Sequence, residues 1–277
     1  MPGDSEEGMA GSDTINGYID TALEAEDLAA IVLRVNTPGG SVFASDLIRR
    51  KLREVADADI SIVVSMGTIA ASGGYWIAAE ADEIWALPTT LTGSIGAFSA
   101  FPTIEGIVEY IGVTVDGVGT TPLAGAASFN RGLSPEMASI VQALAYGAYD
   151  DFIELVASGR DMSEQAVREV ADGLVWTGAE AAERGLVDEL GGLDEAVAAA
   201  ARLAGVEEWR TARTRVPPSF ESVLLQELSR SFGMVAAPLS GWFESLVSAF
   251  KPAIKSLSSL RDPMHVYAQC LPCMPLL

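Results

Sequence analysis

A serine between small residues is the first feature of this sequence with chemical potential. Ser72 follows Ala70-Ala71 and precedes Gly73-Gly74, so the chain can turn tightly there and a substrate can approach the hydroxyl. Where a helix starts at such a serine, its free N–H groups and its dipole favour the negative charge of an attacking oxygen and of an oxyanion. The local pattern thus allows Ser72 as a nucleophile, and a simple helix N-cap is the structural alternative.

A glycine pair upstream offers the complementary function. Gly39-Gly40 follows Pro38, and residues without side chains can present a backbone N–H to a substrate carbonyl. We interpret this pair as one half of an oxyanion hole, with the N–H of Gly73 as the other half. The alternative is an ordinary turn between a strand and a helix.

A serine nucleophile needs a base, and few candidates are available. The single histidine, His265, lies far along the chain, so a Ser-His-Asp triad is not predicted. Of the three lysines, Lys51 is expected on a charged, solvated helix face, where its pKa stays too high to accept a proton near neutral pH. Lys251 and Lys255 belong to the C-terminal tail.

The elements that must position these residues form an alternating pattern from about residue 13 to residue 204. Short apolar runs alternate with amphipathic segments, as in stacked βα units around a mostly parallel sheet. We predict buried strands at 29–36, 60–65 and 83–87. A helix capped by Ser41 or Ser45 should end near residue 55, and further helices at 135–158, 163–170, 178–184 and 194–203 each begin near a Ser, Thr or Asp suited to capping. A glycine-rich loop follows each strand, and because ligands bind at the carboxyl ends of parallel strands, the three loops should converge on one site.

The domain prediction has three parts: a flexible N-terminal segment at 1–12, an α/β domain at 13–210 and a helical C-terminal extension at 211–277. After Pro217-Pro218, apolar residues recur every three or four positions, which is typical of amphipathic helices. Such helices would pack on the main domain or on a neighbouring subunit; a position on a membrane surface is the alternative.

Composition excludes several classes of function. Thirty-eight acidic against 17 basic residues give a formal charge of -21, which argues against a nucleic-acid partner because phosphate binding needs clustered Lys and Arg. Only Cys270 and Cys273 are present, so no disulfide framework is expected. Their spacing is compatible with metal binding or redox cycling, but no second pair supports either role, and neither a metal nor a cofactor is predicted.

No membrane-spanning segment is predicted. The first 13 residues lack the basic and apolar regions of a signal peptide. Two uncharged runs, 60–79 and 84–104, are long enough to span a bilayer, but they contain many Ser, Thr and Gly residues and are better explained as buried strands and loops. The chain is therefore expected to be soluble or at most peripherally attached.

Three motifs in order resemble a known family. The runs 32–41 (Val-Leu-Arg-Val-Asn-Thr-Pro-Gly-Gly-Ser), 70–76 (Ala-Ala-Ser-Gly-Gly-Tyr-Trp) and 91–96 (Leu-Thr-Gly-Ser-Ile-Gly) are similar to those of signal peptide peptidase A. This is a serine peptidase of the Clp-protease/crotonase superfamily. The similarity covers about residues 11–204, and the corresponding fold would be the stacked βα units of that superfamily with a helical C-terminal tail.

The resemblance implies a role for each matching position. Ser72 corresponds to the nucleophile, the N–H groups of Gly40 and Gly73 to the oxyanion hole, and Ser94 to a hydroxyl that holds the amine of a catalytic lysine. The implied substrates are hydrophobic peptides, chiefly signal peptides already released from their preproteins. Members of the family are anchored in the bacterial cytoplasmic membrane with the active site on the outer face, and they form bowl-shaped homo-oligomeric rings.

One departure from the family pattern matters. In short members the lysine lies in the stretch equivalent to 117–131, which contains no lysine here. In long members the lysine lies in the first of two related halves and the serine in the second, so this chain resembles a second half. The lysine is then expected from a missing N-terminal half or from a partner chain, and the isolated chain is expected to be inactive or weakly active.

Two other hypotheses remain open at this point. A catalytically inert half could act as a scaffold or peptide-binding module, although intact Ser72 and Ser94 argue against this. Crotonase-like acyl-CoA chemistry would use the same oxyanion geometry, but no acid/base carboxylate accompanies the glycine loops.

Overall fold

The structure is a computed structural model that describes residues 1–5, 9–121, 123–126, 128–214, 262–270 and 273. The helices predicted after Pro217-Pro218 lie outside the described residues. So do Lys251 and Lys255.

The described helices agree with the predicted ones where both exist, and three further helices precede or interrupt the predicted pattern. The helices are α1 (Ser12–Leu23), α2 (Val42–Asp57), α3 (Gly73–Ala78), α4 (Glu105–Tyr110), α5 (Pro135–Gly159), α6 (Glu164–Val170), α7 (Gly178–Glu183) and α8 (Leu193–Leu203), and α1, α3 and α4 are the three further ones. Four of them begin at a capping side chain whose oxygen accepts a backbone N–H, as the sequence predicts: Ser41 for α2, Ser134 for α5, Ser163 for α6 and Thr177 for α7.

The strands form two sheets. They are β1 (Ala30–Thr37), β2 (Gly39–Ser41), β3 (Ser61–Ala71), β4 (Glu83–Ala86), β5 (Leu91–Gly93), β6 (Phe98–Ser99), β7 (Val175–Thr177), β8 (Glu189–Leu190) and β9 (Val266–Gln269). The main sheet has the order β7-β5-β3-β4-β8, with β1 also pairing with β3, and all its pairs are parallel except β5 with β7. The expected α/β architecture with a mostly parallel sheet is confirmed.

Strand β3 organises the main sheet because it is long enough to have different neighbours along its length. Its first half pairs with β1 and β4, and its last residues pair with β5. Residues 62–66 and 70–71 of this strand are buried, consistent with a strand that is covered on both faces. The sheet therefore curls at β3, and the chain leaves β3 directly into the loop that carries Ser72.

The second sheet is small and consists of β2, β9 and β6, with β9 in the middle and antiparallel to both neighbours. The sequence predicted helices throughout the C-terminal extension, but residues 266–269 form this strand instead. Four residues are too few for a sequence pattern to distinguish a helix from a strand. Val and Tyr are residues that favour strands, and the side chains of Val266 and Tyr267 are buried against the main domain.

Two expectations about the ends of the chain and about membranes can be compared with the structure. Cys270 and Cys273 form a disulfide with a sequence separation of 3, so the bond closes a local turn and links no elements distant in sequence. Within the described ranges, no helix combines the length and apolarity that crossing a bilayer requires. The runs 60–79 and 84–104 contain strands, a short helix and loops, as predicted.

Candidate active site

Three loops meet at the carboxyl ends of neighbouring parallel strands, as the sequence predicts, although the third loop follows β5 and not the strand predicted at 83–87. Thr37 at the end of β1 pairs with Ala70, and Ala71 at the end of β3 pairs with Gly93 at the end of β5. Ser72 and Ser94 each follow one member of the Ala71–Gly93 pair, so the register places them side by side. The N–H of Ser72 also donates to the carbonyl of Gly93 at 2.7 Å.

Ser72 has an unusual backbone conformation and an unpaired hydroxyl. Its φ of 54° and ψ of -114° lie in a region that non-glycine residues rarely adopt, at a cost of about 1–3 kcal/mol. Its side chain caps no N–H of α3, and its buried Oγ has no hydrogen-bond partner among the described residues. The simple N-cap interpretation is therefore wrong.

Helix α3 holds this strained serine in place through its aromatic residues. The hydroxyl of Tyr75, which is fully buried, donates to the carbonyl of Leu186 at 2.7 Å, and burial raises the pKa of that hydroxyl well above its usual value. The ring of Trp76 lies 4.7 Å from that of Phe152 in α5. Because α3 is only six residues long, these contacts fix its orientation, and the N–H groups of its first turn have no acceptors within the helix.

The two glycine loops touch each other beside Ser72. A Cβ on Gly73 would lie 3.1 Å from the amide nitrogen of Gly40, and a Cβ on Gly39 would lie 2.8 Å from the amide nitrogen of Gly73. Gly39 also has a φ of 103°, which an L side chain rarely adopts. Glycine is thus required for close approach at both positions, and the geometry brings together the backbone N–H groups predicted as oxyanion donors.

Ser94, which the strand register places beside Ser72, lines a cavity. Its φ is 51°, its N–H donates to the carbonyl of Leu174 at 2.7 Å, and only 4% of its surface is exposed. The cavity has a volume of about 480 Å³. Its lining comes from the loop after β5, from α5, from the turn before β7 and from β9: Ser94, Gly96, Ala97, Phe98, Gln142, Ala145, Tyr146, Tyr149, Asp172, Gly173 and Gln269.

Strand β9 occupies the groove above the glycine loops. Gly40 pairs with Ala268, and the N–H of Cys270 donates to the carbonyl of Pro38 at 2.7 Å. Cys270 and Pro38 are therefore a hydrogen-bonded pair adjoining β2 and β9. Such pairs recur at every second position along antiparallel strands, so the next one is Ala268 with Gly40, and the N–H of Gly40 faces the carbonyl of Ala268. A Cβ on Gly73 would come within 3.0 Å of that same carbonyl oxygen.

Neither candidate base within the described residues reaches Ser72. The amine of Lys51 contacts carboxylates of Asp20 at 2.7 Å and Glu54 at 2.6 Å, and hydrogen bonds from these two groups raise its pKa. His265 lies against the ring of Phe101, at a centroid distance of 4.9 Å. It is three residues from Ala268, roughly 10 Å along an extended chain.

Several residues near the site carried no recognisable signal in the sequence. The carboxylate of Asp262, which is buried, accepts from the hydroxyl of Ser41 at 2.6 Å and from the N–H of Phe43 at 3.1 Å. The hydroxyl of Tyr149 donates to Asp172 at 2.7 Å at the wall of the cavity. Both contacts join segments distant in sequence, so spacing alone could not reveal them.

Throughout the part of the chain that the structure describes, no three His, Cys, Asp or Glu side chains cluster closely enough to hold a metal ion.

A buried serine hydroxyl beside two converging glycine amides is the arrangement of a serine hydrolase that transfers acyl groups. Comparison with known proteins narrows the class. The model of peptidase family S49 matches residues 54–207, and the chain belongs to this family of serine peptidases.

Individual relatives extend the similarity. The chain is 41% identical to Protease 4 of Salmonella typhi and 38% identical to Protease 4 of Haemophilus influenzae, in each case over 99% of this chain and 45% of the relative. A putative signal peptide peptidase SppA of Enterococcus faecium is 36% identical over 63% of this chain and 51% of that protein. The chain thus spans about half the length of these curated relatives.

A solved structure is also similar. It is a ClpP1 mutant from Listeria monocytogenes, with 15% identity and a TM-score of 0.44, and the match covers 67% of this chain and 86% of that chain.

Proposed function

We propose that this chain is the serine-bearing part of a Ser-Lys endopeptidase that cleaves hydrophobic peptides such as released signal peptides. The observation that carries the proposal is Ser72: its Oγ is buried and has no partner among the described residues, in a strained backbone conformation beside the amides of Gly40 and Gly73. An unpaired buried hydroxyl costs stability. The cost is explained if the Ser72 hydroxyl is a nucleophile whose base, a lysine, comes from another segment or chain.

The mechanism assigns one task to each residue. The Ser72 hydroxyl loses its proton to the lysine amine and attacks the substrate carbonyl carbon, and the N–H groups of Gly40 and Gly73 stabilise the oxyanion. The amine leaving group takes the proton as the peptide bond breaks. Water then hydrolyses the acyl-enzyme and regenerates the Ser72 hydroxyl.

The lysine is supplied by an N-terminal half or by a partner chain. Two facts support this: Lys51 is held in ion pairs, and the chain spans 45% of the length of the Protease 4 relatives. The cavity beside Ser94 provides an approach for the lysine side chain, and the Ser94 hydroxyl would orient its amine. A homo-oligomer at a bacterial cytoplasmic membrane, with the site on the outer face, completes the proposal.

Labelling of Ser72 tests this function. A fluorophosphonate should label the chain weakly alone and at least 100-fold faster when a lysine-bearing half of a relative is added, with no label on Ser72→Ala. The folded protein remaining unlabelled in both conditions would contradict the peptidase. If it then still bound hydrophobic peptides, the alternative of an inert peptide-binding module would be favoured.

A further inference from the structure

The small sheet contains a slot that is one strand wide. Strands β2 and β6 each pair with β9, and β9 lies between them. Two strand spacings separate the outer strands, about 10 Å, so without β9 their facing edges would bind one extended peptide. Extended peptides bind proteins by adding a strand to such an edge.

The slot lies across the reactive serine, and the chain fills it with its own residues. The carbonyl of Ala268 lies between the two glycine loops, near the positions where Cβ atoms of Gly39 and Gly73 would stand, at 2.2 and 3.0 Å. Ala268 itself is fully buried. A peptide substrate would have to place its own carbonyl at this point.

The segment that fills the slot, residues 262–270, is held at both ends. At one end the carboxylate of Asp262 accepts four hydrogen bonds: from the Ser41 hydroxyl and from the N–H groups of Phe43, Met264 and Val266. At the other end Cys270, which is fully buried, donates to Pro38 and is joined to Cys273 by the disulfide.

We propose that residues 262–270 form an autoinhibitory strap and that the Cys270–Cys273 disulfide is a redox latch that keeps the strap in the slot. The inference rests on the proposed function, since the strap inhibits only if Ser72 acts on peptides. Reduction by a dithiol transfers two electrons and two protons to the disulfide, giving two thiols and the oxidised, cyclic form of the reductant. The freed turn gains conformational freedom, which favours release of the strap.

The size of the latch effect follows from the loop that the disulfide closes. A cross-link that closes a loop of four residues lowers the conformational entropy of the released segment. This makes the released state about 20-fold less populated than it would be without the cross-link. We therefore expect reduction to raise the open population, and with it the rate of any reaction that needs the slot, by about 10- to 20-fold.

A slot-dependent probe measures this rate. We would use a peptidyl phosphonate with the sequence Val-Tyr-Ala, which must occupy the slot to phosphonylate Ser72, on the full chain mixed with a lysine-bearing half. Dithiothreitol should accelerate labelling of the unaltered chain by about 10- to 20-fold. The Cys270→Ser, Cys273→Ser double variant should label at the faster rate with or without the reductant.

A second variant opens the strap without redox chemistry. Ala268→Pro removes the N–H that pairs with Gly40 and should accelerate labelling at least tenfold. Ala212→Pro, at an exposed position outside any helix or strand, is the matched control and should leave the rate unchanged. Equal rates for Ala268→Pro and the unaltered chain would overturn the strap, and equal rates in oxidised and reduced protein would overturn the latch.

Hydrogen exchange separates the strap from the catalytic proposal and from misfolding. Amides of residues 39–41 should lose protection in Ala268→Pro and regain it when an apolar decapeptide is added, while amides of 61–66 stay protected. Loss of protection in 61–66 as well would mean that the main sheet had unfolded. The strap would then be tested by the labelling rate of the Cys270→Ser, Cys273→Ser double variant. Labelling absent in every variant, with normal exchange, would overturn the peptidase.

Discussion

Ser72, the proposed nucleophile, carries a local cost in stability. Its φ of 54° and its unpaired buried Oγ are both unfavourable, and relief of such features typically stabilises a protein. We predict that Ser72→Gly raises the free energy of unfolding by about 1 kcal/mol, because glycine adopts positive φ without strain. The same change should abolish labelling at this site. Urea unfolding and fluorophosphonate labelling measure the two effects.

A matched control exists for that prediction. Asp59 also has a positive φ, 58°, but it is exposed and lies at the opposite end of β3 from the site. Because aspartate tolerates this conformation better than most residues, Asp59→Gly should change stability by less than about 0.5 kcal/mol and leave labelling intact. If Ser72→Gly were less stable than the unaltered protein, the idea of strain stored at the nucleophile would fail.

Lys51 provides the second test at the residue scale. Hydrogen bonds to Asp20 and then Glu54 raise its pKa, so it remains protonated up to a higher pH than a free lysine and cannot serve as the base. Lys51→Met should therefore leave the labelling rate of Ser72, with or without the lysine-bearing half, within about twofold of the unaltered chain. Stability should fall by at most about 1 kcal/mol, because exposed ion pairs contribute little. A labelling rate reduced 100-fold would reinstate Lys51 as the base.

The sequence predicted the residues of the site better than their conformations. Convergence of the three loops was predictable because carboxyl ends of parallel strands share one edge of a sheet. The positive φ of Ser72 was not, because a strained backbone is imposed by its surroundings and contradicts local preference. Nothing in the spacing of residues indicated the unpaired Oγ.

At the scale of elements, long helices were predicted well, whereas short strands were missed and the longest strand, β3, was predicted only as far as residue 65. Helix α5 was predicted within a residue because a proline, a capping serine and a long apolar pattern agree. Strands β2, β5, β6 and β9 have two to four residues each, too few for a period to be recognised. Partners distant in sequence define them, and β9 joins a strand that lies more than two hundred residues upstream.

Asp262 joins two of these elements, and its removal should loosen both. Its carboxylate accepts from the capping residue of α2 and from two N–H groups of the segment leading into β9. We predict that Asp262→Ala lowers the free energy of unfolding by about 2–4 kcal/mol, because several buried donors lose their acceptor. Asp27→Ala, which removes only an exposed ion pair with Arg210, should leave the free energy of unfolding nearly unchanged.

The two aspartate variants are compared by urea unfolding. Helix α2 keeps its cap at Ser41 in both, since the Ser41 oxygen still accepts from the N–H of Ala44. The loss in Asp262→Ala should therefore appear mainly as faster exchange of amides in 264–270. Equal unfolding free energies for the two variants would show that Asp262 does not anchor the segment.

At the scale of the whole molecule, the main question is which surface receives the lysine-bearing half. Helix α4 and its flanks expose apolar side chains that a monomer would rarely leave in water. We call this the α4 patch: Ile104, Ile107, Tyr110, Ile111 and Val113, each at least 48% exposed. The patch lies just before the 117–131 stretch, where the resemblance places the lysine of short family members.

We predict that a charge on the α4 patch weakens docking of the lysine-bearing half. Ile107 is 63% exposed, so Ile107→Glu should leave the melting temperature nearly unchanged. It should raise the concentration of the lysine-bearing half needed for half-maximal Ser72 labelling by at least tenfold, because burying an unpaired carboxylate in the interface is costly. Val118→Glu, at a fully exposed position outside the patch, should have no such effect. Because labelling at saturation depends on Ser72 and not on the patch, both variants should reach the same final rate. An unchanged half-maximal concentration for Ile107→Glu would place the docking surface elsewhere.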